Sequence, residues 1–289
     1  MYRIGIIGSD SSHADAFSAL INEPEKETGR LLFPDCAVVG IFGEDKKRTM
    51  SIADKYSIPF VAENPEELID KVDAVMVVLR HGDLHKDYAM PFIKRGIPTW
   101  IDKPFTLKEE DALELIEAAK EGKTLLTGGS TCRHAPEIKK AREERINGSK
   151  IGNVKNGFLS FITDFNSPYG GAAFYGAHLL EMALEIFGDE VLKISAVRSK
   201  GAMTVVLTYD SYEATLSFQE DIAGCPLLLA GDKGLYYDQV NMSEVYKHGV
   251  ESFITMLRTG VAPMPPERLA ISVKIFNEIL KEAGLMKEE

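Results

Sequence analysis

The amino-acid sequence predicts an α/β protein with two sheets, first a doubly wound parallel sheet and then a mainly antiparallel one. Up to residue 127, apolar runs alternate with amphipathic segments of helical spacing, which is typical of a parallel sheet covered on both faces. After Gly128-Gly129, strand-like segments follow one another through short turns, which favours antiparallel pairing. We therefore expect domains over 1–127 and 128–289, with the last helix expected to pack back on the first domain.

The strands of the first domain are predicted from short apolar runs that end at glycine or polar residues. They cover 4–7, 38–42, 74–79, 99–101 and 124–127. Helices are predicted from about residue 13, over 46–56 and 83–95, and after a capping box at Thr106 to Glu109. Right-handed crossovers make this sheet doubly wound, so the strand at 74–79 should lie beside the first strand.

The second domain is predicted to open with a helix over 136–146. Its strands are expected over 154–163, 192–198, 203–209, 213–220 and 226–230, with a helix over 177–187 between the first two. Two helices, near 246–258 and 266–283, close the chain.

Composition and charge exclude several classes of protein. The 289 residues include 33 Lys or Arg and 44 Asp or Glu, so the formal net charge is −11. This acidic chain lacks the basic face that nucleic acids and anionic membranes require, so neither is an expected partner. Three widely spaced cysteines predict neither a disulfide framework nor a zinc site, and they favour the cytosol. We predict no membrane span, no signal peptide and no metal site.

The first candidate site is the turn after the first strand, Gly8-Ser9-Asp10-Ser11-Ser12-His13. A dinucleotide-binding fold carries its G-x-G-x-x-G/A fingerprint at this point. Gly8 matches the first glycine, but Asp10 and His13 replace the second and third, and Asp10 puts a like charge beside a diphosphate. The helix N-terminus still offers N–H groups to an anion. The alternative is a plain strand-to-helix turn that Ser11 or Ser12 caps.

Two further candidates follow the next strands. Glu44 is an acid near the place where a ribose diol would bind, although a solvated helix N-terminus explains it equally well. The same segment carries Lys46, Lys47 and Arg48, and a basic residue there would accept the 2′-phosphate of NADP, so the segment leaves both cofactors open. Arg80, His81 and His85 follow the most apolar strand. We expect Arg80 or His81 to neutralise Asp10 and so restore a dinucleotide site, and the alternative is a structural ion pair that fills the site.

The fourth candidate is Asp102-Lys103, which stands directly before a proline at the end of the fifth strand. A charged pair at the carboxyl end of a buried strand is not a usual way to fill a core. Lys103 is suited to donate a proton to, or to polarise, a substrate hydroxyl or carbonyl. The alternative is a surface salt bridge.

Six short motifs occur in a fixed order along the chain. They are Leu84-His85, Lys103-Pro104 after an acid, Arg133-His134-Ala135-Pro136, Ile151-Gly152-Asn153-Val154, Gly170-Gly171 with His178, and Gly231-Asp232-Lys233-Gly234. In this order they resemble the motifs of the Gfo/Idh/MocA oxidoreductases, the relatives of glucose–fructose oxidoreductase and inositol dehydrogenase. The lysine motif resembles the family's Glu-Lys-Pro, the arginine motif its Arg-Phe-x-Pro, and the segment before His178 its Asp-x-x-x-His.

The resemblance implies an N-terminal Rossmann domain and a C-terminal α/β domain with an open, mainly antiparallel sheet for substrate binding and oligomerisation. It implies hydride transfer between NAD or NADP, with NAD slightly preferred, and a sugar, polyol or related hydroxyl compound. It also implies a homo-oligomer assembled through the outer face of the second sheet. Lys103 and His178 would lie near the reacting carbon. The candidate cofactor-binding residues are Gly8, Ser9, Asp10, Ser11, Ser12, His13, Glu44, Arg80, His81, His85, Asp102 and Lys103.

The chain departs from the family at further positions. Gly43 stands in place of the usual ribose-binding acid, and Phe174 stands in place of the active-site aspartate, four residues before His178. Because a phenyl ring cannot orient an imidazole by hydrogen bonding, Tyr175 is the candidate substitute proton donor. The departures leave two alternatives to a dehydrogenase: a binding or regulatory protein without turnover, and a non-redox enzyme that uses the same cleft for proton transfer.

Overall fold

Two six-stranded sheets organise the chain, which a computed structural model describes over residues 1–286. One unit comprises 1–106, 110–129 and 249–269, and the other comprises 107–109, 130–248 and the described residues from 270 onward. The first unit thus includes a segment from beyond the predicted division at residue 127. The predicted fold class is confirmed.

The first sheet is entirely parallel, with the strand order β3-β2-β1-β4-β5-β6. Its strands are β1 (Tyr2–Ile7), β2 (Cys36–Phe42), β3 (Phe60–Val61), β4 (Ala74–Val77), β5 (Thr99–Ile101) and β6 (Leu126–Gly128). Strand β1 lies beside β4 as predicted, with Ile6 opposite Met76. All four residues of β4 are fully buried, which explains why the strand is a continuous apolar run.

Four helices cover this sheet, namely α1 (Ser12–Asn22), α2 (Lys46–Lys55), α3 (Gly82–Lys94) and α4 (Glu109–Glu121). Ser11 caps α1, because its hydroxyl accepts the N–H of His13 at 3.1 Å. The capping box predicted at Thr106 to Glu109 is wrong. Helix α4 begins only at Glu109, and Thr106 is buried in the segment before it.

The second sheet is mixed, with the order β12-β11-β7-β10-β9-β8, and β7 with β10 is its one parallel pair within residues 1–286. Its strands are β7 (Val154–Ile162), β8 (Lys193–Ser199), β9 (Ala202–Thr208), β10 (Glu213–Gln219), β11 (Pro226–Gly231) and β12 (Leu235–Gln239). The sequence did not reveal β12, because none of its residues is buried and no apolar alternation marks it.

The remaining helices are α5 (Pro136–Asn147), α6 (Ala173–Phe187), α7 (Val245–Thr259) and α8 (Glu267–Glu282). Helix α6 contributes Leu179, Leu180 and Met182 to the core over the second sheet. It begins four residues before the predicted start at residue 177, and it includes Gly176. A Cβ at Gly176 would lie 2.8 Å from Cζ of Phe276, so close packing requires this glycine inside the helix. None of the helices in residues 1–286 is long and apolar enough to cross a membrane.

Candidate functional site

The turn after β1 brings three backbone segments into very close contact. Gly8 has φ +105°, and a Cβ there would lie 2.7 Å from the backbone nitrogen of Leu79. At the end of β2, a Cβ on Gly43 would lie 2.1 Å from Oγ of Ser9, which shares a hydrogen bond of 2.8 Å with Oγ1 of Thr49. Only glycine fits at Gly8, where the clash is with backbone, and a side chain at Gly43 would have to displace the Ser9 and Thr49 hydroxyls.

Asp10 is exposed at this turn, and the backbone N–H of Arg80 donates to its Oδ2 at 3.2 Å. Arg80 therefore meets Asp10 through its backbone N–H, and neutralisation of Asp10 by Arg80 or His81 stays a prediction. His81 instead caps α3, because its Nδ1 accepts the N–H of Asp83 at 3.3 Å. The sequence did not connect Arg48 with this turn, although its guanidinium donates to the carbonyls of Ser9 and Ser11 and places a cation beside the turn.

His13 and Asp102 form a buried pair at the carboxyl ends of β1 and β5. Nδ1 of His13 lies 2.5 Å from Oδ2 of Asp102, and the two side chains are 6% and 2% exposed. Burial raises the pKa of Asp102, but the charge and hydrogen bond of His13, together with the charge of Lys103, outweigh it and hold that pKa below its usual value. The third fingerprint position is thus filled by a ring that hydrogen-bonds the acid preceding Lys103.

Lys103 is itself buried, at 5% exposure, and its peptide bond to Pro104 is cis. Within residues 1–286, Oδ1 of the neighbouring Asp102 is buried without a hydrogen-bond partner. The surface salt bridge that was the alternative interpretation of this pair is therefore wrong, because both side chains lie in the protein interior.

His85 is fully buried below the same strand ends. Its Nδ1 lies 3.1 Å from the carbonyl oxygen of Phe105, and its Nε2 lies 2.7 Å from that of Leu79. Burial lowers the pKa of His85, while the carbonyl oxygens that face its two ring nitrogens act in the opposite direction. His85 therefore links the segments that follow β4 and β5 through these two contacts.

A groove of about 380 Å³ opens beside the end of β2. Glu44 lies in it and accepts the hydroxyl hydrogen bond of Tyr88 from α3. Burial and the Glu44 carboxylate raise the pKa of Tyr88 to about 12. Three more acids line the groove, Glu63, Glu66 and Asp87, and Lys46 pairs with Glu63. The groove is therefore electronegative.

His178 and Tyr175 lie on α6 in the second unit. His178 is 6% exposed, its Nδ1 lies 2.6 Å from Oγ of Ser130, and its ring packs edge-on against Phe161. Tyr175 is 37% exposed, and its ring packs against Phe174. Sequence reasoning missed Ser130, since 48 positions separate it from His178 and no motif links them.

A buried ion pair anchors this part of the second unit. Oε2 of Glu181 accepts from Nη1 of Arg133 at 3.1 Å and from the backbone N–H of Ser130 at 2.8 Å. Both charged side chains are at most 2% exposed. The arginine of the Arg-His-Ala-Pro motif thus fixes the segment that carries Ser130 against α6.

Acid should destabilise the protein through His134, whose Nε2 is buried. Burial and then the charge of Arg133 lower the pKa of His134 from 6.5 to about 3. The unfolded chain therefore binds an extra proton between these values, so stability is unaffected above about pH 6.5 and falls as the pH drops through this window. We expect His134→Phe to flatten the fall in melting temperature between pH 7 and pH 4.5. His81→Gln is the matched control, and an equal flattening there would contradict the assignment.

No three His, Cys, Asp or Glu side chains are grouped to hold a metal ion in the part of the chain that the structure describes. Comparison with known proteins identifies relatives. The model of the Gfo/Idh/MocA oxidoreductase family, described by its NAD-binding Rossmann fold, matches residues 2–130. The scyllo-inositol 2-dehydrogenase (NADP(+)) IolU of Bacillus subtilis is 23% identical over 286 residues, which cover 88% of this chain and 84% of that protein.

Solved structures share the fold along the chain. A putative myo-inositol dehydrogenase from Sinorhizobium meliloti has a TM-score of 0.81 at 18% identity and covers 98% of both chains. Biliverdin reductase from Synechocystis, in complex with biliverdin and NADP+, has a TM-score of 0.75 at 18% identity and covers 98% of this chain and 99% of its own. At such identities the likeness establishes the fold.

Proposed function

We propose that this chain, whose residues 2–130 match the Gfo/Idh/MocA family model, is an oxidoreductase of that family and transfers hydride between NAD and a hydroxyl carbon of a cyclic polyol or sugar. The observation that carries the proposal is Lys103, buried at the carboxyl end of a parallel strand, where this fold binds its ligands. The inositol dehydrogenases among the relatives support the polyol class.

The first unit has features that fit a dinucleotide. The turn at Gly8 has no room for a side chain, so backbone N–H groups at the start of α1 can approach a pyrophosphate. The groove at Glu44 lies at the end of β2, where this fold binds the adenosine ribose, and its volume is sufficient for that ribose. Oδ1 of Asp102 is a buried acceptor that a cofactor donor would satisfy. The Arg80 N–H and the Arg48 guanidinium lessen the repulsion from Asp10.

Lys103 is proposed as the acid/base group. When bound, the nicotinamide supplies the acceptor for the hydride that leaves the substrate carbon. In the oxidative direction, the amine of Lys103 takes the hydroxyl proton, so the alcohol becomes a carbonyl, and in reduction the same nitrogen returns the proton. His178 is proposed as a second polar group that binds the substrate oxygen.

The charge of the groove supports NAD as the cofactor. Glu44, Glu63, Glu66 and Asp87 surround the position of the ribose, and Lys46 is already paired with Glu63. The 2′-phosphate of NADP would add a double negative charge among these carboxylates, whereas Glu44 is suited to accept from a free 2′-hydroxyl. In this respect we expect the chain to differ from its NADP-dependent relative in Bacillus subtilis.

The proposal is tested with the full chain, a panel of inositols and sugars, and each cofactor. We expect nicotinamide absorbance to change with at least one polyol, and NADH to bind more tightly than NADPH by fluorescence titration. If neither reduced cofactor binds at millimolar concentration, the dehydrogenase proposal fails and a binding protein becomes the better interpretation. Product formation without any nicotinamide signal would instead favour non-redox chemistry.

The Glu44→Gln variant probes the cofactor preference directly. Because it removes one carboxylate from the groove and keeps the shape, it should narrow the preference for NADH over NADPH by about tenfold. Lys94→Ala, on the exposed end of α3, is the control that should leave the ratio of the two dissociation constants unchanged. An unchanged ratio in Glu44→Gln would remove this residue from cofactor selection.

Homo-oligomerisation through the second sheet and a cytosolic location stay predictions. Its two edge strands, β8 and β12, expose the apolar side chains of Val197, Leu235 and Tyr237, each more than 60% accessible. These side chains are where an interface between copies would first be sought.

A further inference from the structure

The hydroxyl of Ser130 is the immediate hydrogen-bonding neighbour of Nδ1 of His178. The two atoms lie 2.6 Å apart, and Ser130 is fully buried. Ser130 also caps a short 3-10 helix, Thr131–His134, where its Oγ accepts the backbone N–H of Cys132 at 3.1 Å. The Ser130 oxygen therefore accepts a hydrogen bond at the start of the 3-10 helix and also contacts the His178 ring.

A second contact, to Glu181, fixes the backbone of Ser130. Its backbone N–H donates to Oε2 of Glu181 at 2.8 Å, and that carboxylate is held by Arg133 in a pair with at most 2% exposure. Glu181 and His178 are three residues apart on α6, so they lie on one face of the helix. That face bonds both the backbone N–H and the side chain of Ser130.

The hydrogen-bond count decides which ring nitrogen of His178 carries the proton. A serine hydroxyl has one hydrogen to donate, and a buried donor needs an acceptor. Among residues 1–286, the acceptor within reach of the Ser130 hydroxyl is Nδ1 of His178. The thiol of Cys132 lies 3.5 Å from the same nitrogen and is a second, weaker donor. Because Nδ1 has a single lone pair, the closer Ser130 hydroxyl is the donor that occupies it.

We propose that Ser130 is a positioning residue that keeps Nδ1 of His178 unprotonated, so that the neutral ring carries its proton on Nε2. Phe174 stands where the family has a carboxylate before this histidine. A carboxylate accepts hydrogens and would favour the opposite tautomer, with the proton on Nδ1. The serine hydroxyl donates instead, which favours the proton on Nε2.

The tautomer assigns a chemical role, which rests on the proposed function. An imidazole protonated on Nε2 donates a hydrogen bond to a substrate oxygen and does not remove a proton from a hydroxyl. His178 therefore polarises the carbonyl oxygen during reduction and stabilises the forming alkoxide during oxidation. This tautomer makes His178 a hydrogen-bond donor and not the base of the reaction.

The tautomer is measured on the full chain labelled with 15N-histidine, from two-bond 1H–15N correlations at pH 7.5, with His178→Gln to assign the signal. We expect an unprotonated Nδ1 and a protonated Nε2 in the wild type, mixed tautomers in Ser130→Ala, and the wild-type pattern in Ser130→Thr. The Cys132→Ala variant should keep the wild-type tautomer, because the hydroxyl remains. Melting temperatures identify any variant that fails to fold.

Two results would overturn the assignment. One is a protonated Nδ1 in the folded wild type, and the other is an unchanged tautomer in folded Ser130→Ala. With an active substrate, Ser130→Ala should lower kcat by up to about a hundredfold with a smaller change in KM, and Ser130→Thr should restore it. The NMR pattern needs no turnover. If no polyol reacts but the tautomer is as expected, the proposed function fails while the positioning role stands.

Discussion

Replacement of Lys103 by alanine is expected to lower turnover by about 10²–10⁴-fold on any substrate of the protein, the usual contribution of a positioned acid/base group. The lysine is buried at the end of β5, next to a carboxylate that is hydrogen-bonded to His13. NADH binding should persist, because the Gly8 turn and the Glu44 groove remain. The expected signature is therefore a large loss in kcat with intact cofactor binding, measured by steady-state kinetics and fluorescence titration.

Two variants sharpen this experiment. Lys103→Arg keeps the positive charge but holds its proton too firmly for acid/base work, so it should be nearly as inactive as the alanine variant. Lys94→Ala removes an exposed lysine on α3 and should retain wild-type turnover. Unchanged turnover in Lys103→Ala would remove this residue from the mechanism, and full activity in Lys103→Arg would limit its role to electrostatics.

Replacement of His13 by alanine should lower the free energy of unfolding by about 3–5 kcal/mol, because it leaves the Asp102 carboxylate buried without its main partner. The side chains of this pair are 6% and 2% exposed, and the 2.5 Å contact joins the start of α1 to the end of β5. Urea denaturation at pH 7.5 measures the loss. Since Asp102 titrates below its usual range in the folded wild type, the deficit should shrink on acidification, as protonation removes the stranded charge.

The double variant His13→Ala with Asp102→Asn tests the electrostatic cause. Without the buried charge, it should recover part of the stability that His13→Ala alone loses. The exposed pair Arg3 and Asp73, at 46% and 38% exposure, gives the matched comparison, and Asp73→Ala should cost about 1 kcal/mol or less. A double variant no more stable than His13→Ala would attribute the loss to packing instead.

Much of the architecture was predictable because it depends on local signals. The four-residue run at 74–77 is apolar throughout, and a strand with this pattern must be buried on both faces, which placed β4 beside β1. The glycine turn at Gly8 and the Asp102-Lys103 pair could be found because motif and strand end coincide. Strand β12 could not be predicted, since it has no buried residue to mark one face.

The contacts that complete the candidate site were not predictable, because they join residues far apart in the chain. His13 and Asp102 are 89 positions apart, and Ser130 and His178 are 48 apart. In each case the hydrogen-bonding partner is brought close only by the fold, so no local sequence pattern indicates it. In the sequence, His13 only breaks the glycine fingerprint. In the fold, it is the buried hydrogen-bonding partner of Asp102.

Gly43 has a consequence for how this chain can change. The hydrogen bond between Ser9 and Thr49 fills the space that any side chain at position 43 would need. A substitution that places an acid at position 43 must therefore displace both hydroxyls. The acid one residue later, Glu44, has a partner in this fold, because it accepts a hydrogen bond from the Tyr88 hydroxyl. Ser9 and Thr49 therefore make position 44, and not position 43, the place for a carboxylate at this strand end.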